Sequence, residues 1–414
     1  MSDLKIFAEE VEDQAIDQIK RLISLKPFEN CKIRIMPDVH AGAGCVVGFT
    51  ADLGDKVIPN LIGVDIGCGI MTCELGNIDI DYAQLDRVIR EFIPSGFNVH
   101  NEEKYFARSM VDQLYCKEDL KNKDHIYRSL GTLGGGNHFI EIDQDEEGCK
   151  YLVIHTGSRN LGTQVCDIYQ RRAIGTLVGK DKMKKQMNQL IKDYKQQGRE
   201  DELEEAIEKF KKDWENNTPE VPKDLCWLEG EWRKKYLHDM QICQEFANFN
   251  RDEIRSTICQ KMEWYGNITI FDTVHNYIDF EDNIARKGSI SAKNGKRVII
   301  PMNMRDGCII GIGKGNEDWN CSAPHGAGRK MSRTAAKNNL TMDEYEESMK
   351  GIFTTSVDES TIDEAPMAYK SMDMIVSIVE ATIDIEKIIK PVYNFKAAEE
   401  DHDWKAKKKK KKKK

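Results

Sequence analysis

Residues 32–75 read KIRIMPDVHAGAGCVVGFTADLGDKVIPNLIGVDIGCGIMTCEL and contain three short apolar runs, at 32–36, 45–50 and 62–75. Turns rich in glycine and aspartate separate these runs, a pattern that is typical of strands. The next segment, 82–92, returns to the spacing of apolar side chains that predicts a helix. Strands and helices that follow one another so closely argue against a purely helical or purely β fold, and they predict an α+β domain with mixed sheets.

Helical periodicity also opens the chain, where apolar residues between positions 6 and 23 predict an amphipathic helix. Farther along, the chain is dominated by Lys, Glu, Gln and Asp with spaced apolar residues. This pattern predicts an exposed, charged helical hairpin, residues 180–225, inserted into a single large catalytic domain that spans 1–396. The Lys-rich tail, 397–414, has low complexity and is predicted to be disordered.

Strand signals return in the C-terminal half, in ITIFDTVHNYIDF (268–280) and CIIGIGKG (308–315). Between them, Asn294 and Gly295 form the Asn-Gly pair that predicts a hairpin turn. Apolar residues of 375–389 predict a long amphipathic helix that ends at Pro391.

Composition places the chain among globular proteins rather than fibrous, disordered or membrane proteins. It has 414 residues, of which 40% are hydrophobic and 32% charged. No apolar run approaches the roughly 18 residues of a spanning helix, and the N-terminus lacks a signal-peptide pattern. Twelve cysteines are scattered without a CxxC pair, which favours reduced thiols. We therefore expect a cytoplasmic protein without a membrane partner.

Net charge alone does not identify a partner. The formal net charge is -9, and removing the eight positive charges of residues 407–414 leaves -17 on the rest of the chain. An acidic body argues weakly against a protein that coats nucleic acid, yet a local basic groove within it is compatible with binding a phosphate backbone.

Several segments join glycine-rich backbone to side chains that bind metals. They are MPDVHAGAG (36–44), GVDIGCG (63–69), LGTLGGGNHFIE (130–141), VIHTGSRNLG (153–162), VHNYI (274–278) and SAPHGAGRKMSR (322–333). Asp, Cys and His in short loops after apolar strands commonly converge on one pocket from distant parts of a sequence.

Taken alone, a histidine that follows a strand, such as His155 or His275, is more typical of a buried structural residue than of a metal ligand, and so is Cys68. Together, Asp65, Cys68, His138, His155 and His275 supply one carboxylate, one thiolate and three imidazoles. That set suits Mn, Fe, Co or Zn rather than Mg or Ca. These five residues are more than the four ligands of a structural zinc site. A Cys68 thiolate that bridges two metals accounts better for five ligands.

The glycines point to a phosphate ligand. Backbone N–H groups of GTLGGGN and HGAGR can approach an anion closely, and Arg159 and Arg329 can add charge-assisted hydrogen bonds. The sequence contains neither a P-loop nor a GxGxxG dinucleotide motif. AKNGK (292–296) is similar to the lysine motif of ATP-dependent nucleotidyl transferases, but its Asn-Gly pair is better explained as a turn.

Jointly and in this order, MPDVH, VDIGCG, GGGNHFIE, HTGSR, HNY and HGAGR closely resemble the motifs of the RtcB family of RNA-splicing and RNA-repair ligases. The resemblance runs from about residue 33 to residue 396. It implies the distinctive α+β fold of that family. It also implies a ligase that uses GTP and Mn²⁺ to join an RNA 3'-phosphate or 2',3'-cyclic phosphate end to a 5'-hydroxyl end.

The resemblance also assigns roles to residues. Asp65, Cys68 and His138 would hold one Mn²⁺ and Cys68, His155 and His275 a second, while His325 would be the nucleophile that accepts GMP and Asp38 would act in the later RNA steps. The GTP-binding residues would be Asn137, Glu141, Asn276, Pro301, Met302, Asn303, Met304, Tyr369 and Lys396. The phosphate- or RNA-binding residues would be Arg159, Asn250, Arg251 and Arg329. Met302 stands where the family usually carries glycine.

Two other functions remain open from the sequence. One is a capping enzyme that stops after placing GMP on an RNA 3'-phosphate, and the other is a noncatalytic RNA-end binder. The physiological RNA and the need for an activating protein are open as well.

Overall fold

The computed structural model describes residues 2–396 apart from 64, 178, 218–220 and 267, so the predicted tail, 397–414, lies outside the described residues. The strands are β1 (Asp3–Ile6), β2 (Lys32–His40), β3 (Val47–Asp52), β4 (Lys56–Val57), β5 (Gly69–Gly76), β6 (Phe139–Gln144), β7 (Lys150–Thr156), β8 (Leu228–Glu229), β9 (Thr269–Val274), β10 (Asn276–Asp279), β11 (Ile284–Lys287), β12 (Ser289–Ser291), β13 (Arg297–Asn303), β14 (Gly307–Gly313), β15 (Ser322–Pro324), β16 (Phe353–Thr354) and β17 (Ile383–Lys396). The α-helices are α1 (Asp13–Ile23), α2 (Pro59–Ile62), α3 (Tyr82–Phe92), α4 (Tyr105–Asp112), α5 (Lys123–Tyr127), α6 (Arg159–Leu177), α7 (Lys180–Gln196), α8 (Leu203–Asn217), α9 (Gly230–Lys261), α10 (Arg333–Asn339), α11 (Met342–Ser348) and α12 (Met372–Val379).

Two sheets organise the fold. One has the strand order β1-β2-β3-β11-β10, and the larger has the order β13-β14-β17-β6-β7-β5-β9 with β16 beside β17. Most pairs are antiparallel, whereas β1 with β2 and β16 with β17 are parallel. The Ile299 amide donates to Thr273 Oγ1 (3.2 Å) and so links β13 to β9 at the opposite ends of the larger sheet, which curls toward a barrel. The predicted mixture of helices and mixed sheets is confirmed.

The strand at 32–36 and the helix at 82–92 lie where the sequence predicts them, in β2 and α3. The predicted N-terminal helix is wrong in its first half. Ile6 lies in β1 and pairs with Ile35, and the helix begins only at Asp13. Pairing with β2 gives the backbone of β1 its hydrogen bonds, and Leu4 packs against the apolar cluster of that sheet, which outweighs local helical periodicity.

The run at 62–75 is also not one strand. Its first residue ends α2, and β5 begins at Gly69, so that a loop separates the two elements. This loop carries Asp65 and Cys68.

Two C-terminal predictions are wrong. The Asn294–Gly295 turn does not form a hairpin, because β12 before it pairs with β15 and β13 after it pairs with β14. The predicted helix at 375–389 ends already at Val379, in α12, and residues 383–389 lie in β17. Since β17 lies between β14 and β6, its apolar residues are buried by sheet neighbours rather than along one helical face. Pro391 sits at a register shift in the β17–β6 pairing, where a missing N–H is tolerated.

Two charged helices, α7 and α8, occupy much of 180–225 and contact each other. That this segment forms a hairpin inserted into the catalytic domain stays a prediction. Among the described residues, no helix combines the length and the apolar character that crossing a membrane requires.

Apolar clusters support both sheets. One packs α1, α6 and α9 with the five-stranded sheet, and another packs α3 and α9 on the larger sheet. A third, which includes Ile70, Val153, Ile299, Ile310 and Ile389, draws its members from β5, β7, β13, β14 and β17 of the curled sheet. Because strands β5, β6 and β7 contribute side chains to these clusters, the loops at their ends are placed with little freedom.

Candidate metal centre and nucleotide pocket

The predicted metal ligands meet at one edge of the larger sheet. Cys68 immediately precedes β5 and His138 precedes β6, while His155 lies near the end of β7 and His275 follows β9. Since β5 is antiparallel to both β7 and β9, and β6 is antiparallel to β7, these four positions fall at the same edge. Strand register therefore brings together residues that are up to about two hundred positions apart.

The ligand atoms form two groups that share Cys68. In the first, His138 Nε2 lies 3.0 Å from Asp65 Oδ2 and 3.6 Å from Cys68 Sγ. In the second, His155 Nε2 lies 3.3 Å from both Cys68 Sγ and His275 Nε2. Both groups have the composition and proximity of candidate metal sites. The separation of the ligands into these two sets is the one that the motif resemblance implies.

Hydrogen bonds behind the imidazoles favour metal binding. His138 Nδ1 faces the Leu133 carbonyl (2.8 Å) and His155 Nδ1 faces the Asn137 carbonyl (3.1 Å). Each Nδ1 therefore carries a proton that it donates, and each Nε2 lone pair points into the cluster, as in histidines that bind metals. Burial lowers the pKa of His155 and of His275, so both rings are neutral and able to bind a cation.

Cys68 and Asp65 have surroundings that suit a cation. Burial and then the charge of Asp65 raise the pKa of the Cys68 thiol well above its usual value, so a thiolate at this position requires a compensating positive charge. Gly157 makes room for the carboxylate, because a Cβ there would lie 2.1 Å from Asp65 Oδ1. The donor set fits divalent transition metals, with Cys68 as the ligand common to both positions.

His325 is adjacent to this centre. It follows β15, and its ring centroid lies 5.1 Å from that of His275. His325 Nδ1 lies 2.8 Å from Asp38 Oδ2, whose side chain is fully buried. In a neutral ring, an Nδ1–H that donates to this carboxylate leaves the lone pair on His325 Nε2, as a nucleophilic imidazole requires.

An open cavity lies against His155, His275 and His325. The predicted nucleotide and phosphate residues among its lining are Asn137, Glu141, Pro301, Met302, Asn303, Met304, Arg329, Tyr369 and Lys396. These residues lie in or next to strands β6, β13 and β17 and in the loops after β15 and before α12.

One part of this cavity contains buried charges. Asn394 Nδ2 donates to Glu141 Oε2 (2.6 Å), and Lys396 Nζ donates to Glu364 Oε2 (2.7 Å). Burial raises the pKa of Glu141 to about 7, against the lowering effect of the Asn394 hydrogen bond and the Lys396 charge. Glu141 is therefore a carboxyl group that a donor from a bound base would help to keep ionised.

Comparison with protein families relates this site to a known class. The family model of tRNA-splicing ligase RtcB matches residues 18–119 and 103–397. The chain belongs to the RtcB family. The resemblance inferred from the motifs is thereby confirmed.

Curated members of the RtcB family match along most of their length. RNA-splicing ligase RtcB of Escherichia coli (strain K12) is 28% identical over 404 residues, covering 88% of this chain and 88% of that protein. tRNA-splicing ligase RtcB of Nanoarchaeum equitans is 25% identical over 476 residues, with coverages of 93% and 91%. The protein of the same name from Aeropyrum pernix is 24% identical over 464 residues, with coverages of 89% and 88%.

Some residues assigned by resemblance to the RtcB family lie behind the site rather than in the cavity. Asn250 and Arg251 on α9 are fully buried. Asn250 Oδ1 accepts from the amides of Gly131 and Thr132, and Arg251 Nη1 donates to the carbonyls of Gly67 and Thr156. In this arrangement their polar atoms hold the loops that carry the candidate metal ligands, and direct contact with phosphate would require these hydrogen bonds to break.

Arg159 and Asn276 likewise connect loops of the site. Arg159 donates from Nε to Thr132 Oγ1 and from Nη2 to the Gly96 carbonyl, both at 3.1 Å. Gly134 must lack a side chain because a Cβ there would lie 1.8 Å from Arg159 Nη1. Asn276 Oδ1 accepts from the Gly288 amide (2.9 Å).

The sequence did not single out several residues that line the cavity. They are His40, Phe139, Arg333, Glu364 and Asn394. His40, Phe139 and Arg333 lie within the glycine-rich motifs identified in the sequence, so those motifs could have indicated that they belong to the site. Glu364 lies five residues before Tyr369, but an acidic residue by itself carries no local signal of burial.

A further group, Glu141, Asp143 and Cys308, also has the composition of a metal site. It is fully buried, and neither Asp143 carboxyl oxygen has a hydrogen-bond partner among the described residues. Burial and then the charge of Glu141 raise the pKa of Asp143 well above its usual value. A protonated, uncharged Asp143 accounts for this arrangement without a cation.

Proposed function

We propose that the protein is a GTP- and Mn²⁺-dependent RNA ligase that joins an RNA 3'-phosphate or 2',3'-cyclic phosphate to a 5'-hydroxyl, in tRNA splicing or RNA repair. The observation that carries the proposal is His325, which Asp38 orients beside the group of Cys68, His155 and His275. A nucleophilic nitrogen, a candidate metal centre and a base-sized cavity adjoin one another there. The names of the curated RtcB relatives support an RNA substrate.

His325 would begin the reaction by attacking GTP. Its Nε2 lone pair forms a P–N bond to the α-phosphorus, while the P–O bond to the β-phosphate breaks and pyrophosphate leaves with that electron pair. Asp38 stabilises the imidazolium that develops, because Nδ1–H continues to donate to its carboxylate.

Asp65, Cys68 and His138 would hold one Mn²⁺, and Cys68, His155 and His275 a second. When bound, the metals supply positive charge that neutralises phosphate oxygens and assists the leaving group. The protein residues around them orient the donors, through the carbonyls of Leu133 and Asn137.

Two transfers to RNA would follow. An oxygen of the RNA 3'-phosphate attacks the GMP phosphorus, so that a P–O bond replaces the P–N bond and His325 is released. The 5'-hydroxyl then attacks the 3'-phosphorus, forms the new phosphodiester and expels GMP. A cyclic phosphate would first be opened by hydrolysis. The family resemblance assigns Asp38 to these later steps, and its Oδ1 is buried without a partner among the described residues.

Asp38→Asn is expected to slow formation of the GMP adduct roughly a hundredfold or more. An amide donor in place of Oδ2 favours a proton on His325 Nε2 and removes the attacking lone pair. The rate of label transfer from α-labelled GTP to the protein measures this. A rate close to that of the unsubstituted protein would contradict the orienting role of Asp38.

Glu141→Gln is expected to reduce the preference for GTP over ATP by at least about tenfold. A carboxylate accepts from the N–H groups of guanine, which adenine lacks, whereas a glutamine amide supplies only one acceptor. Competition of unlabelled ATP against labelled GTP in adduct formation measures the preference. An unchanged ratio would place base recognition elsewhere.

The experiment that tests the proposed function is incubation with Mn²⁺ and α-labelled GTP, followed by RNA with defined ends. A ligase forms an acid-labile protein adduct and then a sealed RNA. A capping enzyme forms the adduct but stops at RNA that carries GMP on its 3'-phosphate, and a noncatalytic RNA-end binder forms no adduct.

A further inference from the structure

One buried carboxylate, Glu364, gathers the donor groups at one part of the cavity. Its side chain is 3% exposed. Oε2 accepts from Lys396 Nζ (2.7 Å) and from the Tyr369 hydroxyl (2.5 Å), and Oε1 accepts from Arg333 Nη1 (2.9 Å) and Arg329 Nη1 (3.3 Å). A single residue therefore touches four others that line the cavity with it.

Lys396 lies between two buried carboxylates. Strand pairing places it opposite Phe139, two residues from the Asn394–Glu141 pair on the same two strands. Residues two apart on a strand project to the same face, and the Lys396 charge acts on Glu141. Yet the Lys396 ammonium donates to Glu364, while the Glu141 carboxylate receives its hydrogen bond from the uncharged amide of Asn394.

We propose that Glu364 is a positioning residue for guanine recognition, which holds Lys396 away from Glu141 so that the Glu141 carboxylate stays available to the N–H groups of the base. The inference rests on the proposed function. It adds to the proposed function a residue that affects the specificity for guanine without itself contacting the base.

Electrostatics supports this division of roles. If Glu364 lost its charge, Glu141 would be the remaining buried carboxylate on which the Lys396 charge acts, and a direct ion pair between them would occupy the acceptor that guanine needs. Although burial acts to raise it, the charges of Lys396 and Arg333 hold the pKa of Glu364 at about 2. Glu364 is consequently ionised throughout any practical assay range, and Lys396 stays paired to it.

A double-mutant cycle with Glu364→Gln and Lys396→Met tests the proposal, with KM for GTP and the rate at saturating GTP measured for adduct formation. Glu364→Gln is expected to raise KM roughly tenfold or more with a smaller change in the saturated rate, and to weaken the preference for GTP over ATP. Because Glu364 acts through Lys396, the double variant should show the KM of Lys396→Met alone rather than the product of both losses. If the KM of the double variant instead equals the product of the two separate increases, the proposal is overturned and Glu364 is a structural residue.

Two further variants control for folding. Asp363→Asn alters the neighbouring buried carboxylate, which binds Arg333 (2.9 Å) and does not line the cavity, and it should leave the GTP preference unchanged. Glu364→Asp keeps the charge for the arginines but withdraws it from Lys396, and it should give a KM between those of the unsubstituted protein and Glu364→Gln. A preference unchanged in both Glu364 variants would refute the positioning role. Absence of an adduct in the unsubstituted protein would instead refute the proposed function.

Discussion

His325→Ala is expected to abolish the covalent GMP adduct while leaving the fold and the metal content nearly unchanged. The substitution removes the nucleophile but none of the residues in the two ligand groups. His325 is also only partly buried, so its loss leaves a small cavity at the surface of a pocket rather than in the core. Retention of label after incubation with α-labelled GTP and Mn²⁺, measured on denatured protein, gives the result directly.

The chain offers a matched control for this substitution. His238 Nδ1 lies 3.0 Å from Asp239 Oδ1, so it forms a histidine–aspartate pair like that of His325 and Asp38, and it does not line the cavity. His238→Ala should form the adduct normally. RNA that already carries GMP on its 3'-phosphate should be sealed by His325→Ala, because that substrate bypasses the first step. An adduct on His325→Ala would show that another residue is the nucleophile.

Cys68→Ser is expected to reduce bound Mn²⁺ at both positions and to abolish adduct formation with it. Cys68 Sγ belongs to both ligand groups, and a serine hydroxyl stays protonated at neutral pH and is a poor substitute for a bridging thiolate. His275→Ala, by contrast, removes a ligand from one group and should mainly affect one position. The number of Mn²⁺ ions per chain after dialysis distinguishes the two variants.

Cys73 provides the control for a buried thiol on β5, the strand that follows Cys68. It is fully buried in an apolar cluster of β5 and belongs to neither ligand group. Cys73→Ala should keep the Mn²⁺ content of the unsubstituted protein. If Cys68→Ser also kept that content, Cys68 would not be a shared ligand.

The residues of the candidate metal centre and the candidate nucleophile could be predicted from the sequence, whereas the contacts of the residues around them could not. Asp65, Cys68, His138, His155, His275 and His325 lie in short motifs whose residue types are unusual together, so the candidate cluster could be inferred before any contact was known. Glu364 could not, because its importance comes from donors at positions 329, 333, 369 and 396, and separation along the chain conceals such an arrangement. For Asn250 and Arg251 the sequence suggested phosphate contact, whereas burial on α9 assigns their hydrogen bonds to the protein itself.

By itself the sequence determined the mixed fold class, the helix at α3, the family and the donor set of the candidate metal centre, because each depends on local periodicity or on residue types within short motifs. Tertiary structure alone decided that 383–389 belongs to a strand rather than to the end of a helix, and that the turn at Asn294 and Gly295 joins two different sheets. In both places the local pattern is compatible with more than one conformation. The backbone then takes the one in which neighbouring strands satisfy its hydrogen bonds and bury its apolar side chains, and those neighbours are distant in sequence.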